Sequence, residues 1–123
     1  MRRTIAFVAP LVIAVAFGLV MARSARAEEM CPDHSGTTIE SLHHCVTHAY
    51  EMGHIDNGGV ARSLLAKVNA AQAADDRGQT GVAIRDLAAF MLEVDAQAGH
   101  HIDAEHAQHM IEHAESVIEA LGG

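Results

Sequence analysis

Four runs of apolar residues, each repeating at three- and four-residue steps and each bounded by turn residues, fill the chain from Thr37 to Leu121 and leave little room for anything but helix. Thr37-Thr38-Ile39-Glu40 sets Thr and Glu three apart, a capping box that opens a first helix over about 38–52 and gives way near Gly53. Its apolar stripe is Ile39, Leu42, Val46 and Ala49, joined by Cys45. A second helix, about 59–77, follows Asp56-Asn57-Gly58-Gly59, carries Val60, Leu64, Val68 and Ala71 on one face, and stops at Gly78. The third, about 81–98, is expected to be capped by Thr80, to bury Ile84, Leu87, Met91 and Val94 with Phe90 beside them, and to end at Gly99. The fourth, about 104–121, opens at Asp103 and buries Ala107, Met110, Ala114, Val117 and Leu121. No stretch alternates with the two-residue period of a strand, and the connections are short, so the expectation is an all-α, antiparallel four-helix domain with no internal repeat.

Ahead of this pattern lie Arg2 and Arg3, an apolar run from Ile5 to Ala22, and the small-x-small site Ala25-Arg26-Ala27. The run is about as long as a thin membrane span. Pro10 interrupts it, however, and a cleavage site follows closely, so residues 1–27 read as an export signal that is removed. The chain is then expected to work in the periplasm or beyond as residues 28–123, with 28–36 tethered to the helical domain.

All ten histidines and all sixteen acidic residues follow the leader, against four basic ones, Arg62, Lys67, Arg77 and Arg85; residues 28–123 therefore carry a net charge of −12 with histidine neutral. Such a field disfavours nucleic acid and anionic membrane surfaces and favours cations or basic proteins. Imidazoles titrate near pH ~6.5, so mild acid would cancel much of that charge. Cys31 and Cys45 are the only cysteines, and an even number in an oxidising compartment is expected to pair. The loop so closed would contribute roughly 3 kcal/mol in the chain-entropy model. Metal thiolates are the alternative, without the C-x-x-C spacing that would support them.

Ser63-Leu64-Leu65-Ala66-Lys67-Val68-Asn69-Ala70-Ala71, Ala83-Ile84, Leu87-Ala88-Ala89-Phe90, Val94-Asp95-Ala96-Gln97-Ala98-Gly99 and Ile102 resemble the FIMAH-type helical domain of exported bacterial proteins, a module often found beside enzymes or immunoglobulin-like repeats. The resemblance covers about residues 53–121, with the Cys31–Cys45 segment looking like a helix commonly joined in front. Met91 stands where the family often has Ile, a volume-conserving change, and His100 where Lys is usual. The resemblance implies no established catalytic activity and hands over no active site.

The histidines admit two readings. On the fourth helix His106, His109 and His113 project within about 60° of one another at about 100° per residue, with Glu112 beside them, and are expected to flank the apolar stripe without interrupting it. His109/His113 and His44/His48 are i, i+4 pairs, the spacing at which two imidazoles can reach one ion. Imidazole with carboxylate suits Zn²⁺, Cu²⁺ or Ni²⁺. The other reading is a solvated, pH-responsive surface, since a firm site needs three or four ligands and groups that orient them.

Two motifs lose their force in context. His109-Met110-Ile111-Glu112-His113 matches the inverted zinc-protease signature, but little chain follows to supply a third ligand. Glu40-Ser41-Leu42-His43 and Glu51-Met52-Gly53-His54 match the Glu-x-x-His unit of di-iron bundles, yet that unit points inward, where this stripe is apolar, and Gly53 breaks the second match. Gly58-Gly59 lacks the context of a phosphate loop. The sequence therefore leads to an exported, non-enzymatic helical module that binds another exported protein or itself and requires no cofactor. The alternative is a periplasmic binder or buffer of Cu, Zn or Ni using His106, His109, His113 and Glu112, then His44 and His48.

Overall fold

The computed structural model describes residues 36–123; the expected export signal, Cys31 and His34 lie outside the described residues. The chain is all-helical, with four helices and no strand among the described residues: α1 (Ile39–Glu51), α2 (Gly58–Asp76), α3 (Thr80–Gln97) and α4 (Ala104–Leu121). Each packs on its neighbour in sequence and α4 closes back on α1, while the backbones of the diagonal pairs stay farther apart. None of these helices is long and apolar enough to cross a membrane.

The helix starts show how local chemistry is apportioned. The α1 capping box is formed by Thr38 and Ser41, one position later than the Thr37/Glu40 pair suggests: Ser41 N donates to Thr38 Oγ1 at 3.1 Å, and Thr38 N donates to Ser41 Oγ at 3.3 Å. Ser supplies the returning side chain, and Glu40 stays exposed. Asn57 caps α2 through Gly59 N and Val60 N, so the glycine pair forms the first turn and does not precede it. Thr80 is not a cap; Gln79 holds that place without a side-chain bond. Asp103 is the N-cap of α4, also without a side-chain bond to its helix, because its carboxylate is engaged elsewhere.

One core fills the ring. Leu42 and Val46 of α1, Leu64 and Ala71 of α2, Leu87, Phe90 and Val94 of α3, and Met110, Ala114 and Val117 of α4 are each 0% exposed. Burial of each large side chain is worth ~1.5–3 kcal/mol in apolar transfer. The α3 face is rotated from the expected one: Ala83 and Phe90 lie at its centre, while Ile84 and Met91 are half-buried at its margin. Val60 and Leu121 are also only half-buried. A 2.6 Å Lys67–Glu93 ion pair, supported by Ser63, ties the polar edges of α2 and α3.

Two core residues come from loops. Ile55 and Ile102 are each 1% exposed and form an antiparallel bridge between the α1–α2 and α3–α4 connections. This bridge brings the two connections to the same end of the ring.

Candidate functional site

The bridged loops carry the same tripeptide. His54-Ile55-Asp56 follows Gly53, and His101-Ile102-Asp103 follows Gly99-His100; both glycines are left-handed, with φ of 83° and 75°, turning the chain out of the preceding helix. Facing one another, the tripeptides exchange bonds in both directions. Asp56 N donates to His101 O and Asp103 N to His54 O, each at 3.0 Å. His54 Nδ1 lies 2.8 Å from Asp103 Oδ2, and His101 Nδ1 lies 2.7 Å from Asp56 Oδ1. A carboxylate only accepts, so Nδ1 of each ring carries the proton and donates it. This short repeat, which the sequence reading passed over, is a two-way clasp with an isoleucine anchoring each half.

His106 extends one half of the clasp. It lies at the third position of α4, is 9% exposed, and stacks on His54 with ring centroids 3.5 Å apart and planes within 14°. Its Nε2 is fully enclosed and has no hydrogen-bond partner. Burial above all, then His54 and His109, push its pKa below the ordinary 6.5; Asp103 and Glu105 pull the other way. One donor atom from each of His54, Asp103 and His106 lies within 4.8 Å of the other two. Beside them, Asp56, His100 and His101 help line a cavity of about 190 Å³.

His113 serves a different purpose. It is 9% exposed, and its Nε2 is 2.9 Å from both Ser41 Oγ and Gly36 O. Because a carbonyl only accepts, Nε2 carries the proton, and the ring ties α4 to the start of α1. His106 and His113 thus lie within the buried stripe, contrary to the expectation that the histidines flank it: Met110 and Val117 follow each of them by four residues, which is the same helical face.

The other sequence-derived candidates are dispersed. His109, Glu112 and His113 line a cavity of about 240 Å³ with Gly36 and Thr37, but Glu112 accepts from Gln108 Nε2 at 3.0 Å and His113 is committed to α1. His44 is exposed, 4.0 Å from Glu40, and His48 is half-buried on the same helix. His54, Asp103 and His106 form the one set of three donors so gathered among the described residues, and it shares only His106 with the sequence-derived set. Cys45 is 2% exposed in the core face of α1, and there is no free cysteine among the described residues; its expected partner Cys31 lies outside them.

Compared with known families, the chain matches the model of the FIMAH domain over residues 39–119. The match begins at the first residue of α1, so the first helix is part of the domain and not an addition to it. No curated relative and no solved structure matches.

Proposed function

Since this chain belongs to the FIMAH domain family, we propose that it is an exported, non-catalytic helical module that works by docking onto another exported protein or onto a second copy of itself. The observation that carries the reading is the extent of the family match, which takes in essentially all of the four-helix ring. The hydrogen bonds of two buried polar side chains agree with it. Ser41 and His113 join one segment of the scaffold to another, the pattern of a rigid platform. In this reading the helices run antiparallel in sequence order, the leader is removed on export, and a Cys31–Cys45 disulfide pins the start of α1. A strongly acidic surface selects basic or neutral protein partners over nucleic acid and anionic lipid. No cofactor is needed for docking. A metal buffer built on His106, His109, His113, Glu112, His44 and His48 gains no support from an arrangement that commits His113 to α1 and leaves His44 and His48 on a different helix.

Affinity capture from the exported fraction, together with light scattering of the chain between about pH 5 and 8, tests the proposal. A specific partner or a defined oligomer is expected. A monomer throughout that range, with no specific partner captured, would overturn it.

A further inference from the structure

We infer that His54, Asp103 and His106 form a transition-metal site at the loop end of the bundle, selective for borderline ions such as Zn²⁺ over Mg²⁺ or Ca²⁺. This goes beyond the docking role and does not depend on it. Three observations converge. The donor atoms already lie within 4.8 Å of one another, so an ion needs only side-chain adjustment to gather them. His106 buries a ring nitrogen with no partner, which is unfavourable for a polar atom, and the residue is 9% exposed in a fold where Ser41 and His113, the other buried polar side chains, are bonded. Two imidazoles stacked face to face, with centroids 3.5 Å apart and planes within 14°, hold their ring nitrogens close together, and a rotation of either ring would turn both lone pairs toward one ion.

The chemistry of the set fixes the class of ion. Two imidazoles and one carboxylate are a borderline donor set suited to Zn²⁺, Cu²⁺ or Ni²⁺, whereas Mg²⁺ and Ca²⁺ seek oxygen. Neighbouring groups favour a cation. Glu105 and Asp56 add negative charge, and the C-terminal ends of α1 and α3 reach the same loop pair as the N-terminal ends of α2 and α4, so the helix dipoles largely offset one another. The cavity beside the cluster is lined by two of the three donors, His54 and Asp103. Coordination through His54 Nδ1 would break its hydrogen bond to Asp103, the ring's one proton moving to Nε2 and the carboxylate being freed to ligate.

The test is competition of the full chain against a chelating indicator for Zn²⁺, with Co²⁺ absorption as a second readout of ligand type. One ion per chain is expected, with Co²⁺ bands that require nitrogen ligation. His106→Gln and His54→Gln should each weaken Zn²⁺ binding by ~100-fold or more, and Asp103→Asn by ~10–100-fold, the range for groups that ligate or orient a ligand. His44→Ala with His48→Ala should leave binding unchanged. Circular dichroism in chelator separates loss of site from loss of fold; should His106→Gln unfold, the exposed Asp103 provides the decisive variant. Weak multisite binding indifferent to His54, Asp103 and His106, or binding that follows His44 and His48, would overturn the assignment.

Discussion

Asp103 stands at the N-cap of α4 yet gives its carboxylate to His54, so replacing it should act through the clasp and not through the helix end. The contrast with α2 makes the point: there the tripeptide ends one residue earlier, at Asp56, and Asn57 is left to cap while Asp56 holds His101. Were Asp103 a working cap, Asp103→Ala would cost ~1 kcal/mol whatever stood at position 54. As half of a clasp, its effect depends on His54. The bond is short, 2.8 Å, with a charged acceptor, which argues for the upper range of a hydrogen bond; the side chains are 26% and 61% exposed, so screening reduces it. We expect a coupling energy of ~0.5–1 kcal/mol. A double-mutant cycle of Asp103→Ala and His54→Gln, read by urea unfolding in excess chelator, measures it. In the parent, Asp103→Ala should lower stability by about 1 kcal/mol, and in the His54→Gln background by a few tenths. Equal losses in both backgrounds would refute the reasoning and return Asp103 to an ordinary capping role.

Other outcomes follow from burial and chemistry. Phe90→Ala should cost ~3–5 kcal/mol as a cavity at the centre of the ring, while Leu92→Ala, at a site 73% exposed, should stay within ~0.5 kcal/mol by thermal or urea unfolding. His106 is held below its ordinary pKa of 6.5, chiefly by burial and then by His54 and His109 against the pull of Asp103 and Glu105. Its neutral form is the one the fold favours, so that contribution is complete above 6.5 and is lost as pH falls through the lower folded value. In chelator, His106→Leu should therefore reduce the loss of stability on acidification relative to the parent; an identical pH profile would contradict the assignment. If Cys31 and Cys45 pair as proposed, reduction should lower stability by ~2–4 kcal/mol, and Cys31→Ser should abolish the sensitivity to reductant.

The helices were legible because their signals are local and repeated. Leu42, Val46, Leu64, Val68, Leu87, Val94, Met110 and Val117 recur at helical steps, and glycine follows the first three helices at Gly53, Gly78 and Gly99. The rotation of α3 was not legible, because Ile84 and Met91 are as apolar as Ala83 and Phe90, and only packing in the ring decides which pair turns inward. The site was read less well. A helical wheel groups His106 with His109 and His113, but two turns of helix separate His106 at the loop clasp from His113, which bonds the start of α1. The decisive partners, His54 and Asp103, lie far apart in sequence in loops that carry no periodicity. The recurring His-Ile-Asp was the one available signal, and a buried isoleucine between two polar residues in each connection was the physical reason to heed it.

That repeat also supplies an internal control for the metal site. Each aspartate accepts from the other tripeptide's histidine at nearly the same distance, 2.8 and 2.7 Å, and the exposures of Asp103 and Asp56 are alike at 61% and 64%. As contributors to stability the two bonds should therefore be similar, and Asp56→Ala should cost about as much as Asp103→Ala, roughly 1 kcal/mol. As metal donors they differ, because three residues beyond Asp103 stands His106 and three residues beyond Asp56 stands Gly59, which has no side chain to give. Asp103→Asn is thus expected to weaken Zn²⁺ binding by at least ~10-fold, and Asp56→Asn by less than ~3-fold. Equal losses from both variants in the same indicator competition would mean that the carboxylates act through general charge at the acidic loop end, and the third donor on α4 would have no special role.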